Sequence, residues 1–287
     1  MNRPISFKYT AIFIIVAWIL VFILVPNLLV VLISFLSRDA SRFVAPPLTL
    51  SHYLSLFEPV YFKIFTKSVT YSFFSTLICL LVAYPFAWLI SRADKAYRSV
   101  LLILVIIPFW TSSLIRTYAL VILFKTNGVI NAVLTALGVI NEPLALMYTD
   151  KAVYAGLVYS LLPFMILPLY ASMEKMDRRL IEAARDLGAG SFPIFIRIIW
   201  PLSLPGVVAG CIMVFLPAMG LFYIPDLLGG AKSMLIGNFI KNQFLTAGNW
   251  PFGSAAGVFL TLCMLVLMLL YFGVRKRMEN ASVEKGL

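Results

Sequence analysis

Long stretches without a charged side chain limit what this chain can fold into. The first stretch, from Tyr9 to Ser37, is longer than the roughly 20 apolar residues that an α-helix needs to cross the hydrocarbon core of a bilayer. Hydrophobic residues make up 62% of the 287 positions and charged residues 12%, whereas about a quarter of a soluble domain is charged. So few charges cannot cover a water-exposed surface, and the sequence therefore predicts an all-α integral membrane protein.

Six of these stretches qualify as membrane spans. We predict spans at about 10–36, 68–91, 99–124, 152–173, 203–225 and 251–274. A weaker seventh candidate, 128–149, contains Asn131 and Glu142, and its polarity favours a short interfacial or re-entrant helix instead. No segment between the spans reaches the roughly 50 residues of a soluble domain, so residues 1–287 are predicted to form a single transmembrane domain.

Basic residues are unevenly distributed between the spans. With the N-terminus in the cytoplasm, most Lys and Arg residues fall in short segments on that side, and fewer fall in the longer outer segments. This bias orients integral membrane proteins, so both termini are predicted to be cytoplasmic. It also accounts for much of the formal net charge of +11 without a nucleic acid as partner, and membrane lipid is the predicted surrounding.

Residue types that carry enzyme or metal chemistry are scarce. Three cysteines, Cys79, Cys211 and Cys263, lie inside apolar stretches, and the single histidine, His52, has no Cys or acidic neighbour at ligand spacing. A metal site, a disulfide framework and a catalytic constellation are therefore not predicted. The segment 229–233 lacks the spacing of a phosphate-binding loop, so this chain is not expected to hydrolyse ATP, and no cofactor is expected.

An ion-coupled secondary carrier is a weaker alternative. Such a carrier is expected to place ionisable residues near the middle of the membrane for its coupling ion. Arg116 is the only charged residue inside the six predicted spans, and it lies near the outer end of the third.

The longest predicted cytoplasmic segment, 174–201, begins with the pattern of an amphipathic helix. Charged residues of both signs separate its apolar positions, and Gly188 follows where a helix would end. The apolar positions, counted from the last residue of the fourth predicted span, are Met173, Met176, Leu180, Ala183, Ala184 and Leu187. Such a helix lies either on the membrane surface or against a partner protein. The mixed charge favours the partner, because helices on lipid usually carry a mainly basic polar face.

Part of this segment resembles a known motif. Glu182-Ala183-Ala184, then Gly188, then Ile198-x-x-Pro201 is similar to the EAA loop of the permease subunits of bacterial ABC importers. Trp200 replaces the Leu that usually precedes the final Pro in that family, and it keeps the position apolar. Five stretches, one of which overlaps this motif, resemble the permeases of spermidine/putrescine importers: Pro85–Trp88, Pro108–Tyr118, Leu162–Met165, Leu180–Ala189 and Pro217–Tyr223.

The resemblance implies a type I ABC importer permease fold in the bacterial inner membrane, with a cytoplasmic coupling helix. It also implies three protein partners: a dimer of ATPase subunits, a second permease subunit and a periplasmic polyamine-binding protein. The positions that would contact the ATPase are Glu182, Ala183, Ala184, Arg185, Asp186 and Gly188. Putrescine alone, or another small solute, is the alternative cargo.

Polyamines are linear polycations, so their path through a permease should offer carboxylates and aromatic faces. Asp226 is the best placed outer carboxylate, because Pro225 interrupts the fifth span just before it, although a solvated loop position explains it equally well. The other candidate path residues are Trp110, Arg116, Tyr118, Phe222 and Tyr223. Aromatic residues at the outer boundary also form interfacial belts. A fixed cation repels polyamines, so Arg116 is expected rather to hold a helix junction or to close a gate.

Overall fold

The computed structural model describes residues 4–39, 43–230 and 233–284. Both chain ends lie outside the described residues, and so do residues 231–232, which belong to the segment compared above with a phosphate-binding loop. The α-helices are α1 (Pro4–Ile19), α2 (Val25–Ser34), α3 (Ser51–Ser55), α4 (Pro59–Arg92), α5 (Lys95–Ile106), α6 (Ser113–Phe124), α7 (Val129–Ala136), α8 (Asp150–Glu174), α9 (Arg178–Asp186), α10 (Ser191–Ile194), α11 (Trp200–Gly220), α12 (Ile236–Leu245) and α13 (Trp250–Glu284). The strands are β1 (Leu36–Ser37) and β2 (Ala45–Leu48), a 3₁₀ turn covers Ile107–Trp110, and π-helical turns cover Leu20–Leu24, Phe195–Ile199 and Pro225–Gly229.

Within the part of the chain that the structure describes, six helical segments are long and apolar enough to cross a membrane, which confirms the predicted all-α fold with six spans. They are Tyr9–Ser34, Pro59–Arg92, Ser113–Ala136, Asp150–Glu174, Ser191–Gly220 and Trp250–Gly273. The second therefore begins before residue 68, and the fifth begins before residue 203. A helix satisfies its backbone hydrogen bonds within one segment, so it is the expected form at membrane depth.

The predicted third span, 99–124, is not one continuous helix. α5 ends at Ile106, the 3₁₀ turn follows, and α6 begins only at Ser113. Pro108 cannot donate the backbone hydrogen bond that a continuing helix needs, and Ser112 has extended backbone, with ψ at 134°. The third segment that is long and apolar enough instead covers Ser113–Ala136 and includes the eight-residue helix α7. The rest of 128–149 is non-helical chain, so this stretch does not form a seventh span.

By its internal contacts the chain divides into two compact units. One contains the residues up to Lys63 together with Phe239–Leu265, and the other contains Ile64–Asn238 together with the residues from Val266 onward. The candidate coupling segment and all the candidate path residues belong to the second unit.

The first unit contains the span that is least buried. None of the most apolar stretch of Tyr9–Ser34 is buried within the protein. After this span, β1 and β2 form a short antiparallel hairpin. The rings of Tyr61, Phe239 and Phe252 pack on one another with centroids 4.9 to 5.4 Å apart. The bare apolar surface of the first span is stable where lipid covers it.

α8 is the central helix of the second unit. Buried residues make up 56% of its most apolar stretch, a larger share than in the other five described spans. α11 packs along it, and Gly206 and Gly210 let the two backbones approach closely. A methyl group added at Gly206 would lie 2.7 Å from the carbonyl oxygen of Pro168, and one at Gly210 would lie 2.6 Å from Met165 Sδ. Small residues four positions apart commonly allow membrane helices to pack this closely.

We expect Gly206→Ala to destabilise the protein by about 1–3 kcal/mol, because overpacking a close contact costs that much. Thermal unfolding of the purified protein in detergent measures the change. Gly257→Ala in α13 is the matched control, since nothing lies within 4 Å of its added methyl group and alanine favours a helix over glycine. Equal unfolding temperatures for the two variants would contradict the close contact between α8 and α11.

Candidate functional site

The helix that the EAA pattern predicts is α9. It begins at Arg178, and the carboxylate of the preceding Asp177 accepts a hydrogen bond of 2.9 Å from the backbone N–H of Arg179. A carboxylate at this position satisfies a free N–H group and lies at the positive end of the helix dipole. Sequence reasoning did not identify Asp177, although an Asp just before an amphipathic pattern is a recognisable start signal.

α9 ends in a glycine turn. Gly188 has a φ of +77°, in the left-handed region that is costly for residues with a Cβ atom. The backbone N–H of Ala189 bonds the carbonyl of Ala184 at 3.0 Å, and the N–H of Gly188 bonds the carbonyl of Arg185 at 2.8 Å. This pair of bonds is a Schellman motif, which satisfies the carbonyls of the last turn. The helix stop expected at Gly188 is therefore present.

One face of α9 is anchored to the rest of the second unit. Its Ile181 is 5% exposed and belongs to a buried apolar cluster. The buried members of this cluster are Met176, Ile181, Ile194 and Ile199. Ala184 packs against it from α9, and Trp88 packs against it from α4. α9 is thereby fixed both to α4 and to the beginning of the fifth span.

The opposite face of α9 has no cover from the described part of the chain. Its exposed residues are Arg179, Leu180, Glu182, Ala183, Arg185 and Asp186. Leu180 is 48% exposed and Leu187 is 88% exposed, and residues seven apart lie on the same side of a helix. Exposed leucines among charges of both signs form a surface suited to contact with another protein. Four of the six predicted coupling residues lie on this surface, whereas Ala184 is half-buried and Gly188 forms the turn.

α9 is also connected to the loop between α4 and α5. Arg178 Nη2 donates to the backbone carbonyl of Ser91 at 3.3 Å. Arg98 forms an ion pair of 2.7 Å with Glu174 and donates to the same Ser91 carbonyl at 3.2 Å. Both guanidinium groups therefore lie at the C-terminal end of α4, where the helix dipole attracts cations. Sequence reasoning missed Arg98 and Glu174, which are 76 residues apart in the chain.

A second group of polar and aromatic residues surrounds the π-helical turn after α11. The amide nitrogen of Asn238 donates to the Asp226 carboxylate and, at 2.6 Å, to the backbone carbonyl of Phe222. Asn238 is 3% exposed, so a buried amide fixes the half-buried carboxylate. The rings of Phe222 and Tyr223 meet edge to face, with centroids 5.9 Å apart. The structure thus brings three candidate path residues together and adds Asn238. In the sequence, Asn238 could have been recognised as a single amide within the apolar stretch 234–240.

The other three candidate path residues lie at the beginning of α6 and just before it. Trp110 is 80% exposed and Tyr118 is 55% exposed. Arg116 is only 9% exposed, and its guanidinium carbon lies 4.8 Å from the centre of the Phe109 ring. The charge of Arg116 is thus held at the junction between the 3₁₀ turn and α6.

These two groups of residues are suited to binding a cation and to transmitting a displacement. Among the described residues, no group of three or more His, Cys, Asp or Glu side chains is arranged to hold a metal ion. Asp226 and the aromatic rings can attract a cation through charge and ring faces. α9 offers a stiff helix with defined ends, which can transmit a displacement.

We expect Gly188→Ala to destabilise the end of α9 by about 1–2 kcal/mol. The cost is purely conformational, because nothing lies within 4 Å of the added methyl group. Gly188→Asn should cost less, since asparagine tolerates the left-handed region better. Hydrogen exchange of peptides that cover residues 184–189 measures the loss. Gly190→Ala is the control, with φ at −69°, and equal protection in it and in Gly188→Ala would contradict the prediction.

Comparison with known proteins identifies the family. A sequence model of the family described as binding-protein-dependent transport system inner membrane component matches residues 65–281. Relatives with the name spermidine/putrescine transport system permease protein PotB match along nearly the whole chain. The Haemophilus influenzae protein is 49% identical over 97% of this chain and 97% of its own length. The Escherichia coli (strain K12) protein is 50% identical over 94% of this chain and 98% of its own length.

Solved structures share the fold. A chain of a bacterial alginate ABC transporter, in complex with alginate pentasaccharide-bound periplasmic protein, superposes with a TM-score of 0.78 at 18% identity, covering 95% of this chain and 94% of its own. A chain of a bacterial ABC transporter involved in the import of the acidic polysaccharide alginate superposes with a TM-score of 0.72 at 19% sequence identity, covering 95% of this chain and 96% of its own. These likenesses confirm the predicted type I importer permease fold. The chain therefore belongs to the family of binding-protein-dependent transport system inner membrane components, which are permease subunits of ABC importers.

Proposed function

We propose that the chain is one of two permease subunits of an ATP-driven importer for spermidine and putrescine. The observation that carries this proposal is the identity of 49% and 50% with permeases named for those two cargoes, over nearly their whole length. A periplasmic binding protein delivers the cargo to the outer face. A separate pair of ATPase subunits hydrolyses ATP on the cytoplasmic side.

α9 supplies the contact with the ATPase subunits. Its exposed face offers Glu182, Ala183, Arg185 and Asp186, while its opposite face is anchored through Ile181. A displacement of the ATPase would move α9, and the anchored face would pass this movement to α4 and to the fifth span. The bonds of Arg178 and Arg98 to the end of α4 would carry the same movement into the loop before α5.

The Asp226 group forms part of the cargo path. Spermidine and putrescine carry ammonium groups at intervals along an apolar chain, so a carboxylate and ring faces suit them. Asn238 fixes the carboxylate of Asp226 through its buried amide, which reduces the ordering that binding would otherwise require. The exposed rings of Trp110 and Tyr118 extend the aromatic surface along the beginning of α6.

The protein crosses the inner membrane several times, and both termini lie in the cytoplasm. The bonds of Arg178 to Ser91 and of Arg98 to Glu174 hold the ends of α4 and α8 on the same side of the membrane as α9. Basic residues are concentrated there, so this side is cytoplasmic. Two spans precede the end of α4 and two follow α9, so both chain ends lie on that same side.

We expect Glu182→Lys to lower the amount of ATPase that co-purifies with the permease by about tenfold or more, because reversing a charge in a contact opposes like charges. Quantitative co-purification from cells that express the whole transporter measures this. Glu142→Lys, which changes an exposed acid outside α9, is the control and should leave the recovery unchanged. Recovery of an active transporter that works without any ATPase would contradict the proposal.

The reconstituted transporter, with its binding protein, should take up labelled spermidine into proteoliposomes when ATP is supplied. We expect Asp226→Asn to raise the KM for spermidine roughly tenfold, since a hydrogen bond to a charged group contributes about 1.5–3 kcal/mol, and to leave the co-purified ATPase unchanged. Glu58→Gln, at another exposed carboxylate, should leave the KM unchanged.

Each outcome of the uptake experiment decides a separate point. Uptake of putrescine but not of spermidine would identify putrescine alone as the cargo. If neither polyamine is taken up, the polyamine assignment is wrong, whereas the membership of the ABC permease family is unaffected. An unchanged KM in Asp226→Asn would remove this carboxylate from the path.

A further inference from the structure

The break between α5 and α6 falls inside the predicted third span, 99–124. α5 has 12 residues and therefore runs about 18 Å, and the 3₁₀ turn of four residues adds about 8 Å. Counted from Lys95, Thr111 and Ser112 follow after about 26 Å, which is less than the roughly 30 Å thickness of a hydrocarbon core. Both residues are exposed. Lipid cannot bond to exposed non-helical backbone, so protein or water must cover this break.

The break also exposes the N-terminus of α6. Ser112 occupies the N-cap position but forms no side-chain cap bond. The N–H groups of the first turn have no partner within a helix, and together they carry the positive end of its dipole. An uncapped helix start inside a membrane is a place where an anionic group is stabilised.

Arg116 adds a full positive charge at this end of α6. Its Nε and Nη1 are buried and have no hydrogen-bond partner among the described residues. The Phe109 ring beneath the guanidinium packs edge to face against Phe164 of α8, with centroids 5.1 Å apart. Because Phe109 precedes the break, this contact holds the guanidinium at the N-terminal end of the helix.

An unpaired buried cation is costly, and its cost is recovered when an anion pairs with it. The exposed residues next to Arg116 are apolar or aromatic: Trp110 is 80% exposed, Ile115 66% and Tyr118 55%. The proposed cargo path runs between the two permease subunits, so the rings assigned to it lie where those subunits would meet. Aromatic residues with a nearby arginine are typical of the centre of a protein–protein contact. The uncovered break and the unpaired charge of Arg116 therefore both require a neighbouring protein that offers an anionic group.

We propose that Arg116 and the N-terminus of α6 form an anion site that receives a carboxylate side chain of the second permease subunit. The proposal rests on the proposed function, which supplies that subunit. The cargo does not provide the anion, since polyamines are cations. A lipid phosphate is the competing anion, because it also pairs with arginine, and the charge exchange described below decides between the two, since a lipid cannot restore assembly after the exchange. A carboxylate can accept two guanidinium hydrogens at once, and this is the strongest pairing available to arginine.

The test compares Arg116→Lys, Arg116→Gln and Arg116→Met in the complete transporter. We expect Gln and Met to lower the recovery of the second permease by more than about tenfold, because removing one partner of a buried charge pair costs at least that much. Arg116→Lys should retain part of this recovery, since lysine keeps the positive charge but lacks the planar guanidinium that donates two hydrogen bonds to one carboxylate. Lys125→Gln, at the exposed far end of α6, is the matched control.

Whether Arg116→Met lowers or raises the recovery of the second permease distinguishes a paired guanidinium from one that is only buried. If Arg116 stays unpaired in the assembly, Arg116→Met removes a costly charge and raises both the recovery and the unfolding temperature of the complex. That result, or unchanged assembly in Arg116→Gln, would overturn the proposal. The chain purified alone is measured in parallel, and Gln or Met variants that unfold there as well would assign Arg116 to this chain's own fold and would also overturn it.

A charge exchange identifies the partner carboxylate. In an Arg116→Glu background, each Asp and Glu in the spans of the second permease is replaced by Arg, one at a time. We expect one replacement to restore assembly at least in part, and failure of all of them would overturn the proposal. Assembly needs neither cargo nor ATP, so this readout is independent of whether spermidine is transported. If an anionic oligosaccharide stimulates the wild-type ATPase and Arg116→Gln abolishes only that stimulation, the site serves cargo and the proposal is wrong.

Discussion

The close contact between the backbones of α8 and α11 is the interaction on which the rest of the second unit depends. In lipid there is little hydrophobic force between helices, so short-range packing has to hold them together. Gly206 and Gly210 make this packing possible at Pro168 and Met165. α9 lies between these two helices in the chain, so the coupling segment is attached at both ends to the same pair. A displacement of α9 would therefore act on two closely packed helices.

The sequence predicted those features that are local in the chain. Apolar stretches of about 20 residues identify spans without any knowledge of their neighbours, and six were found. The stop and the amphipathic face of α9 are local too, which is why Gly188 was correctly placed, whereas the start at Asp177 was missed although it is equally local. The break before α6 was missed because hydropathy does not register backbone geometry, although Pro108 was a signal. The ion pair of Arg98 with Glu174 joins residues 76 positions apart, and only the packed helices bring them together.

Two charged groups near the ends of spans coincide with irregular backbone in this protein. Asp226 lies in a π-helical turn and is held by the amide of Asn238. Arg116 follows a 3₁₀ turn and is held over the ring of Phe109. Regular helices leave no backbone group free for a ligand or a partner, whereas interrupted ones present free N–H and carbonyl groups beside side chains. The two interruptions supply opposite charges, one suited to a cationic cargo and the other to an anionic neighbour.

The bare first span has a consequence for how the sequence can change over time. None of the most apolar stretch of Tyr9–Ser34 is buried among the described residues, so none of them constrains the shape of its side chains. Leu, Ile, Val and Phe are nearly equivalent to a lipid environment, and exchanges among them should accumulate freely there. α8, whose corresponding stretch is 56% buried, has no such freedom, because each of its buried side chains fits particular neighbours. The rate of neutral substitution should therefore differ between two helices of similar hydropathy.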